Sequence, residues 1–254
     1  MKPTPQSLSA PAPPLAGPAL LAQIWADLAF VHWGVDPAAV AALLPPGTEP
    51  DTLDGRTWVG LVPFRMVGLG PARLPAIPRL ATFPETNVRL YSVDATGRRG
   101  VVFRSLDAAR LGLVLGARLT LGLPYTWARM GIRRTGNQIE YETGRRWPGP
   151  RGAGGRIIVE PGPAIPRPDP LAEFLTARWG LHVRHAGRTL YLPNHHGPWP
   201  LHRATLVHLD DTLVAAAGFD GLVGRAPDSV LWSPGVAVTF GTPIDARRPR
   251  PPGG

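Results

Sequence analysis

Glycine and proline punctuate this chain so densely that their content approaches the range where unperiodic chains are usually low-complexity. There are 30 glycines and 32 prolines among 254 residues, and neither residue sits comfortably in a helix interior or a central strand. What remains between them is a series of short apolar runs, most with the period-two alternation of strands. The strand-like runs are Ile24 to Trp33, Thr57 to Met66, Glu85 to Val93, Gly100 to Ser105, Met130 to Arg134, Gln138 to Thr143, Arg156 to Glu160, His182 to Arg184, Thr189 to Leu192, Arg203 to Leu209 and Gly235 to Phe240. Turn chemistry at Asp94-Ala95-Thr96-Gly97, Thr135-Gly136-Asn137 and Ala186-Gly187 stands where hairpins need it. Hairpins imply antiparallel pairing, so the fold class is α+β, mainly antiparallel β, with a partly closed barrel as one form of it.

Three stretches read as helices. Asp36 caps a short one that begins at Pro37 and is stopped by Pro45-Pro46. Asp107 to Leu121, with Asp107 as its cap, is apolar around most of its circumference, which predicts a buried helix packed closely at Gly112 and Gly116. Asp169-Pro170 opens a third, amphipathic helix with Leu171, Phe174, Leu175 and Trp179 on one stripe and Gly180 as its stop. The Pro/Ala-rich residues 1–18 and the Arg/Pro tail 246–254 read as disordered because they cannot bury apolar surface. Residues 19–245 then form one domain. Gly152-Ala153-Gly154-Gly155 reads as a flexible turn.

Composition narrows the function. With no cysteine, the chain has no thiolate metal site, iron–sulfur cluster or cysteine nucleophile. The start lacks the apolar run of a signal peptide, and no stretch reaches membrane-spanning length, so the expected location is the cytoplasm, away from membranes. Basic residues outnumber acidic ones 27 to 18. Lys2 is the sole lysine, and the arginines are scattered rather than gathered on one arm, which argues against nucleic acid as the partner. His195 and His196 point to opposite faces of an extended segment, a poor geometry for a shared metal, so neither metal nor cofactor is expected.

Pro84-Glu85-Thr86-Asn87-Val88-Arg89 carries the densest chemical signal. Glu85, Asn87 and Arg89 share one strand face. If the turn at Asp94 to Gly97 pairs Val93 with Arg98, Arg104 lies opposite Asn87 and diagonal to Glu85. Such a face is either an ordinary solvent-exposed sheet surface or the polar lining of a cleft in which arginine grips an anion and glutamate moves a proton. His32, beside Trp33, and His196, in a proline- and tryptophan-rich loop, fit packing or pocket lining equally.

Five ordered segments then match a known family: Asp54 to Met66, Phe83 to Arg89, Phe103 to Ala108, Gly122 to Tyr125 and His196 to Leu201. Together, over residues 29–242, they resemble the YqjF-like family of unknown function, domain of unknown function 2071. That family is similar in fold to the acetoacetate decarboxylase-like superfamily, which implies a barrel or cone of antiparallel strands with a buried helix and an internal cavity. Under the resemblance, Glu85 matches the decarboxylase strand glutamate and Asp107-Ala108 the helix start. Gly122-Leu123-Pro124-Tyr125-Thr126 matches the lysine segment, with Tyr125 and Thr126 in place of the two lysines. An imine needs a primary amine. The resemblance therefore implies the fold and a cavity for a small anionic or carbonyl ligand without the Schiff-base mechanism. Glu85 and Tyr125 would be the catalytic pair, with Arg89, Arg104, Asn87, His32 and His196 binding the ligand. A non-catalytic interaction module and a basic nucleic-acid-associated protein are the alternative readings; the sequence leaves a homo-oligomer and enzyme status open.

Overall fold

The computed structural model describes residues 4–8, 12–15, 17–72 and 82–247. Its strands are β1 Leu21–Val35, β2 Thr48–Pro50, β3 Thr57–Pro71, β4 Phe83–Asp94, β5 Arg99–Ala108, β6 Tyr125–Thr135, β7 Gln138–Trp147, β8 Gly154–Ala164, β9 Gly180–His185, β10 Arg188–His196, β11 His202–Asp211, β12 Ser229–Phe240 and β13 Ile244–Asp245. The helices are α1 Pro37–Ala41, α2 Leu111–Leu121, α3 Pro170–Thr176 and α4 Leu213–Ala216. Each of the eleven strand-like runs lies in a strand, and the three turn signals connect β4 to β5, β6 to β7 and β9 to β10. The short β2 and β13 carry no comparable alternation and are set by what they pair with, β4 and β10.

All thirteen strands join one sheet, in the order β13-β10-β9-β5-β6-β7-β8-β11-β12-β1-β3-β4-β2, and the further pairings of β10 with β12 and β5 with β4 bring it round on itself like a ring. Most neighbours are antiparallel, but β5 runs parallel to β6 and to β9. Parallel neighbours need a crossover, and α2 supplies the one between β5 and β6. Alternation along each strand divides the apolar side chains between two cores. Phe30, Phe64, Leu106 and Phe174 belong to the first; Val31, Leu61, Val88 and Val214 belong to the second.

Several expectations are corrected. Asp107 is no helix cap but a buried strand residue, gripped by Arg145 through two 2.8 Å hydrogen bonds and by the Thr126 hydroxyl. The helix therefore starts four residues later, behind Arg110, with no side-chain cap. Nor is α2 a buried helix: Val114 alone is buried, and Leu111, Leu115 and Leu119 face outward. Gly112 and Gly116 have open space where a Cβ would stand. Helix α3 ends at Thr176, before Trp179, and four of its seven residues are buried, so it is an internal element and not a surface one. Gly154 and Gly155 lie in β8 rather than in a flexible turn, because a Cβ on Gly154 would stand 2.0 Å from the Thr143 carbonyl.

In the N-terminal segment the Gln6 amide donates to Gly97 O at 2.8 Å, and Leu8 packs on the first core. At the other end the Ala246 amide donates to Thr189 O at 3.0 Å. The rest of the expected tail, residues 248–254, lies outside the described residues, as do residues 1–3, 9–11 and 16. No helix among the described residues is long and apolar enough to cross a membrane.

The glycine environments predict opposite outcomes. Gly154→Ala should destabilise by about 1–3 kcal/mol, because the strands cannot part without losing their ladder. Gly116→Ala should stabilise by up to about 1 kcal/mol, the helix-propensity difference. Denaturant melts of the two variants check both.

Candidate functional site

Strand β4 is central to a cavity because it pairs on both sides, with β3 and with β5. Its period of two sends Glu85, Asn87 and Arg89 to one face, where all three line a cavity of about 130 Å³. Thr86, Val88 and Leu90 take the opposite face, the latter two within the second core. Tyr125, at the start of β6, and His196, at the end of β10, line the same cavity, as do Leu113, Ala117 and Leu121 from the inner side of α2. The rest of the wall is mostly apolar, with Phe64, Leu106, Phe240 and Trp25 among its members.

Glu85 is buried, 2% exposed, and the Tyr125 hydroxyl donates to its Oε2 at 3.1 Å. Parallel pairing of Leu106 with Tyr125, next to antiparallel pairing of Ala108 with Glu85, is what brings the two together across forty residues. Burial pushes the Glu85 carboxyl up to about 8; the Tyr125 hydrogen bond opposes the rise and the charge of Asp107 adds to it. At neutral pH the group is thus mainly the uncharged acid. Burial, with Glu85 as neighbour, also holds the Tyr125 phenol well above its ordinary range. Asn87 is 4% exposed, and its Oδ1 has no hydrogen-bond partner.

Arg89 is held by neutral oxygens: its Nε donates to the Tyr91 hydroxyl at 3.1 Å and its Nη2 to Leu175 O at 3.0 Å. Tyr91 in turn donates to Leu175 O at 3.0 Å. With that proton directed at the carbonyl, Nε2 of His32 carries the hydrogen of its 2.7 Å contact with the Tyr91 oxygen. Burial, with Arg89 and Arg178 nearby, lowers the His32 pKa well below its usual value and keeps the ring neutral. His196 is lowered to about 4, chiefly by burial, and its ring packs against Trp179 and Trp199 at 4.6 and 5.0 Å.

Two residues predicted for the site stand elsewhere. His32 is fully buried and does not line the cavity; its Nε2 meets the Tyr91 hydroxyl, which in turn accepts from the cavity residue Arg89. The ring fits there because position 60 is glycine: a Cβ would come within 2.6 Å of His32 Nε2. Arg104 does not face Asn87. The turn closes on the Asp94 carboxylate, which accepts from the Arg98 amide at 3.1 Å and from its Nε at 2.7 Å, so Val93 pairs with Arg99 and not with Arg98. A separate register shift lies further along the ladder, with Val88 opposite Ser105 and Arg89 opposite Phe103, and it leaves Arg104 as the unpaired bulge residue. Its side chain leaves the cavity and donates to Ala217 O at 3.2 Å. Leu106 takes the place opposite Asn87.

The wall also contains Arg178, which the sequence reading did not single out. It follows α3 directly, is 4% exposed, and lies over the rings of Phe174 and Tyr91 at 4.2 and 4.7 Å. An arginine inside the apolar run Phe174 to Leu181 was the available signal, since an unpaired charge is seldom buried.

A sheet that returns on itself around a cavity, crossed by one helix between parallel strands, defines the class: an acetoacetate decarboxylase-like fold. An acetoacetate decarboxylase-like enzyme from Sphingomonas wittichii RW1 superposes with a TM-score of 0.60 at 15% identity, covering 90% of this chain and 93% of that one. The enduracididine biosynthesis enzyme MppR complexed with pyruvate gives 0.58 at 14% identity, covering 91% and 92%. Acetoacetate decarboxylase from Legionella pneumophila gives 0.54 at 16%, covering 93% and 92%. At such identities the likeness shows the fold alone. The chain belongs to the DUF2071 family, described as an uncharacterized conserved protein, whose profile matches residues 22–237. The uncharacterized protein YqjF of Bacillus subtilis (strain 168) is 35% identical over 201 residues, 78% of this chain and 82% of that protein.

Two measurements check the geometry. A carboxyl raised from 4.5 to about 8 binds its proton more tightly folded than unfolded, so its contribution is intact below pH 4.5 and is lost as pH rises towards 8. Glu85→Gln removes that loss. Its stability relative to the parent should therefore grow between pH 5 and pH 8, by a few kcal/mol in order of magnitude, as followed by urea melts. Tyr91→Phe should destabilise by about 1–3 kcal/mol, because His32 and Arg89 are left with buried donors unsatisfied; the same melts test this.

Proposed function

We propose that this protein binds a small carboxylate or carbonyl compound in the cavity beside Glu85, where the chemistry open to it is proton transfer or hydration without a covalent intermediate. The observation that carries the reading is a strand face of Glu85, Asn87 and Arg89 turned into a cavity whose wall is mostly apolar. A carboxylic acid kept neutral there is suited to donate a proton or a hydrogen bond where negative charge develops on a bound oxygen. The roles follow from position. Arg89 would hold the anionic group, Asn87 would offer its amide midway, and the Tyr125 hydroxyl and Glu85 would receive the carbonyl. Its protonated state makes Glu85 a proton donor first and an acceptor only after that step. His196, neutral and held by tryptophans, would line the pocket.

Schiff-base decarboxylation is not part of this proposal. The segment resembling the decarboxylase lysine site carries Tyr125 and Thr126, and the single lysine of the sequence, Lys2, lies outside the described residues. The solved MppR complex with pyruvate supports the ligand class by analogy of fold. A non-catalytic module is the second reading, favoured by the fact that Arg89 already donates to Tyr91 and Leu175. The nucleic-acid reading loses support because many arginines, including Arg98, Arg99, Arg145, Arg156 and Arg178, are engaged by carboxylates.

A thermal-shift screen against 2-oxo acids, 3-oxo acids, enolisable ketones and sugar phosphates tests the reading. A true ligand at a hundredfold excess over Kd should stabilise by about 2.7 kcal/mol. The gain should disappear in Glu85→Gln and Arg89→Ala. Stabilisation retained in both variants, or absent for every class, would favour the non-catalytic module.

A further inference from the structure

Positive charge accumulates at one end of the cavity without an equal number of acids. Arg89 and Arg178 both line it, and both guanidiniums stand over the Tyr91 ring, at 5.5 and 4.7 Å. A third, Arg99, stands over the adjoining Phe174 ring at 5.7 Å. Among the described residues one carboxylate is bonded to this group. Asp51, 1% exposed, accepts from Arg178 Nη1 and, with both oxygens at 2.8 Å, from Arg99 Nη1. Arg89 binds the neutral oxygens of Tyr91 and Leu175. The histidines beside it, His32 and His196, are neutral and add nothing to the balance.

Three guanidiniums against one bonded carboxylate leave two positive charges with no further acid bonded to them among the described residues. Isolated buried charges are strongly unfavourable in a low-dielectric setting. One donor is also unused: Arg178 Nη2 is buried and has no hydrogen-bond partner. Away from this end the character changes. From Arg89 to Glu85 the strand runs four residues, roughly 13 Å, and the wall between is built largely of side chains such as Leu28, Val62, Phe64, Leu106 and Leu113.

We infer that Arg178 completes a carboxylate-binding subsite with Arg89, and that the ligand is an organic carboxylate with an apolar aliphatic or aromatic body rather than a neutral carbonyl compound or a sugar phosphate. The inference rests on the reading of the cavity as a binding site and deepens it. Asp51 anchors Nη1 of Arg178 from behind, which fixes the guanidinium plane and leaves Nη2 for the ligand. Its Nε donates to Phe174 O at 2.8 Å, so Nη2 is the one charge-assisted donor it offers to a carboxylate oxygen. Arg99 neutralises Asp51, so the charge of Arg178 stays available to the ligand. A sugar phosphate would set several hydroxyls along a wall that is mostly apolar, with Gln23, Asn87 and Asn194 as its few amide partners.

The test uses titration calorimetry of the full chain with pyruvate, 4-methyl-2-oxopentanoate, the methyl ester of the latter, and glucose 6-phosphate. The branched acid should bind tightest, gaining about fourfold over pyruvate for each added methylene. Its ester should bind at least tenfold more weakly, and glucose 6-phosphate should not bind. Arg178→Gln should weaken the acid at least tenfold and leave the ester unchanged, while Arg178→Lys should recover part of the loss. Comparison of acid with ester on the parent protein needs no variant, so a poorly folded Arg178→Gln does not blunt the test. Equal binding of acid and ester, abolished by Glu85→Gln, would overturn this inference and leave the proposed function standing. Tight acid binding untouched by Arg178→Gln would remove Arg178 from the subsite, and absence of binding by all four compounds would overturn both.

Discussion

Hydrogen bonds converge on the hydroxyl of Tyr91, and the polar end of the cavity depends on them. The oxygen receives His32 from β1 and Arg89 from its own strand, and its proton goes to the carbonyl of Leu175 at the end of α3. One phenol thus ties two strands to a short helix that has few residues of its own to hold it. The ring face serves as well, for both cavity arginines lie against it. Because the oxygen has its bonding capacity filled by buried partners, the position of each partner is coupled to the others. His32, which touches no part of the cavity, has a place in the molecule through this node.

Two buried acids on the same pair of strands show how environment separates the roles of like groups. Glu85 and Asp107 stand on neighbouring strands but on opposite faces of the sheet. Asp107 meets Arg145 and Thr126, which satisfy its oxygens and keep it in the framework. Glu85 meets only a phenol and apolar walls, so burial raises its pKa to about 8 and leaves it a weak acid near neutral pH. The arginines divide in the same way: Arg145 is paired bidentately, whereas Arg89 leans on neutral oxygens. An acid that is neutral and a base that lacks its counter-ion, at two ends of one cavity, form an arrangement that framework groups do not need.

The amino-acid sequence by itself determined the strands, the three hairpin turns, the caps at Asp36 and Asp169, and the shared face of Glu85, Asn87 and Arg89. These are local properties, set by alternation, by turn residues and by side chains that reach their own backbone two or three residues away. The five ordered motifs likewise carried the family and, through it, the fold. Which residues would meet across the sheet was decided by tertiary structure. A turn that closes on Asp94 and a separate bulge between Val88 and Arg89 together moved Arg104 away from Asn87 and put Leu106 in its place. The parallel placement of β5 and β6, invisible in either strand alone, joined Tyr125 to Glu85. Asp107 looked like a helix cap because its cap signature is local, but its strand role comes from Arg145, 38 residues away. Arg178 became a member of the site only when α3 folded inward and brought it against Tyr91 and Asp51. Register, crossover and the sharing of charges depend on contacts between distant segments, and no local pattern specifies them.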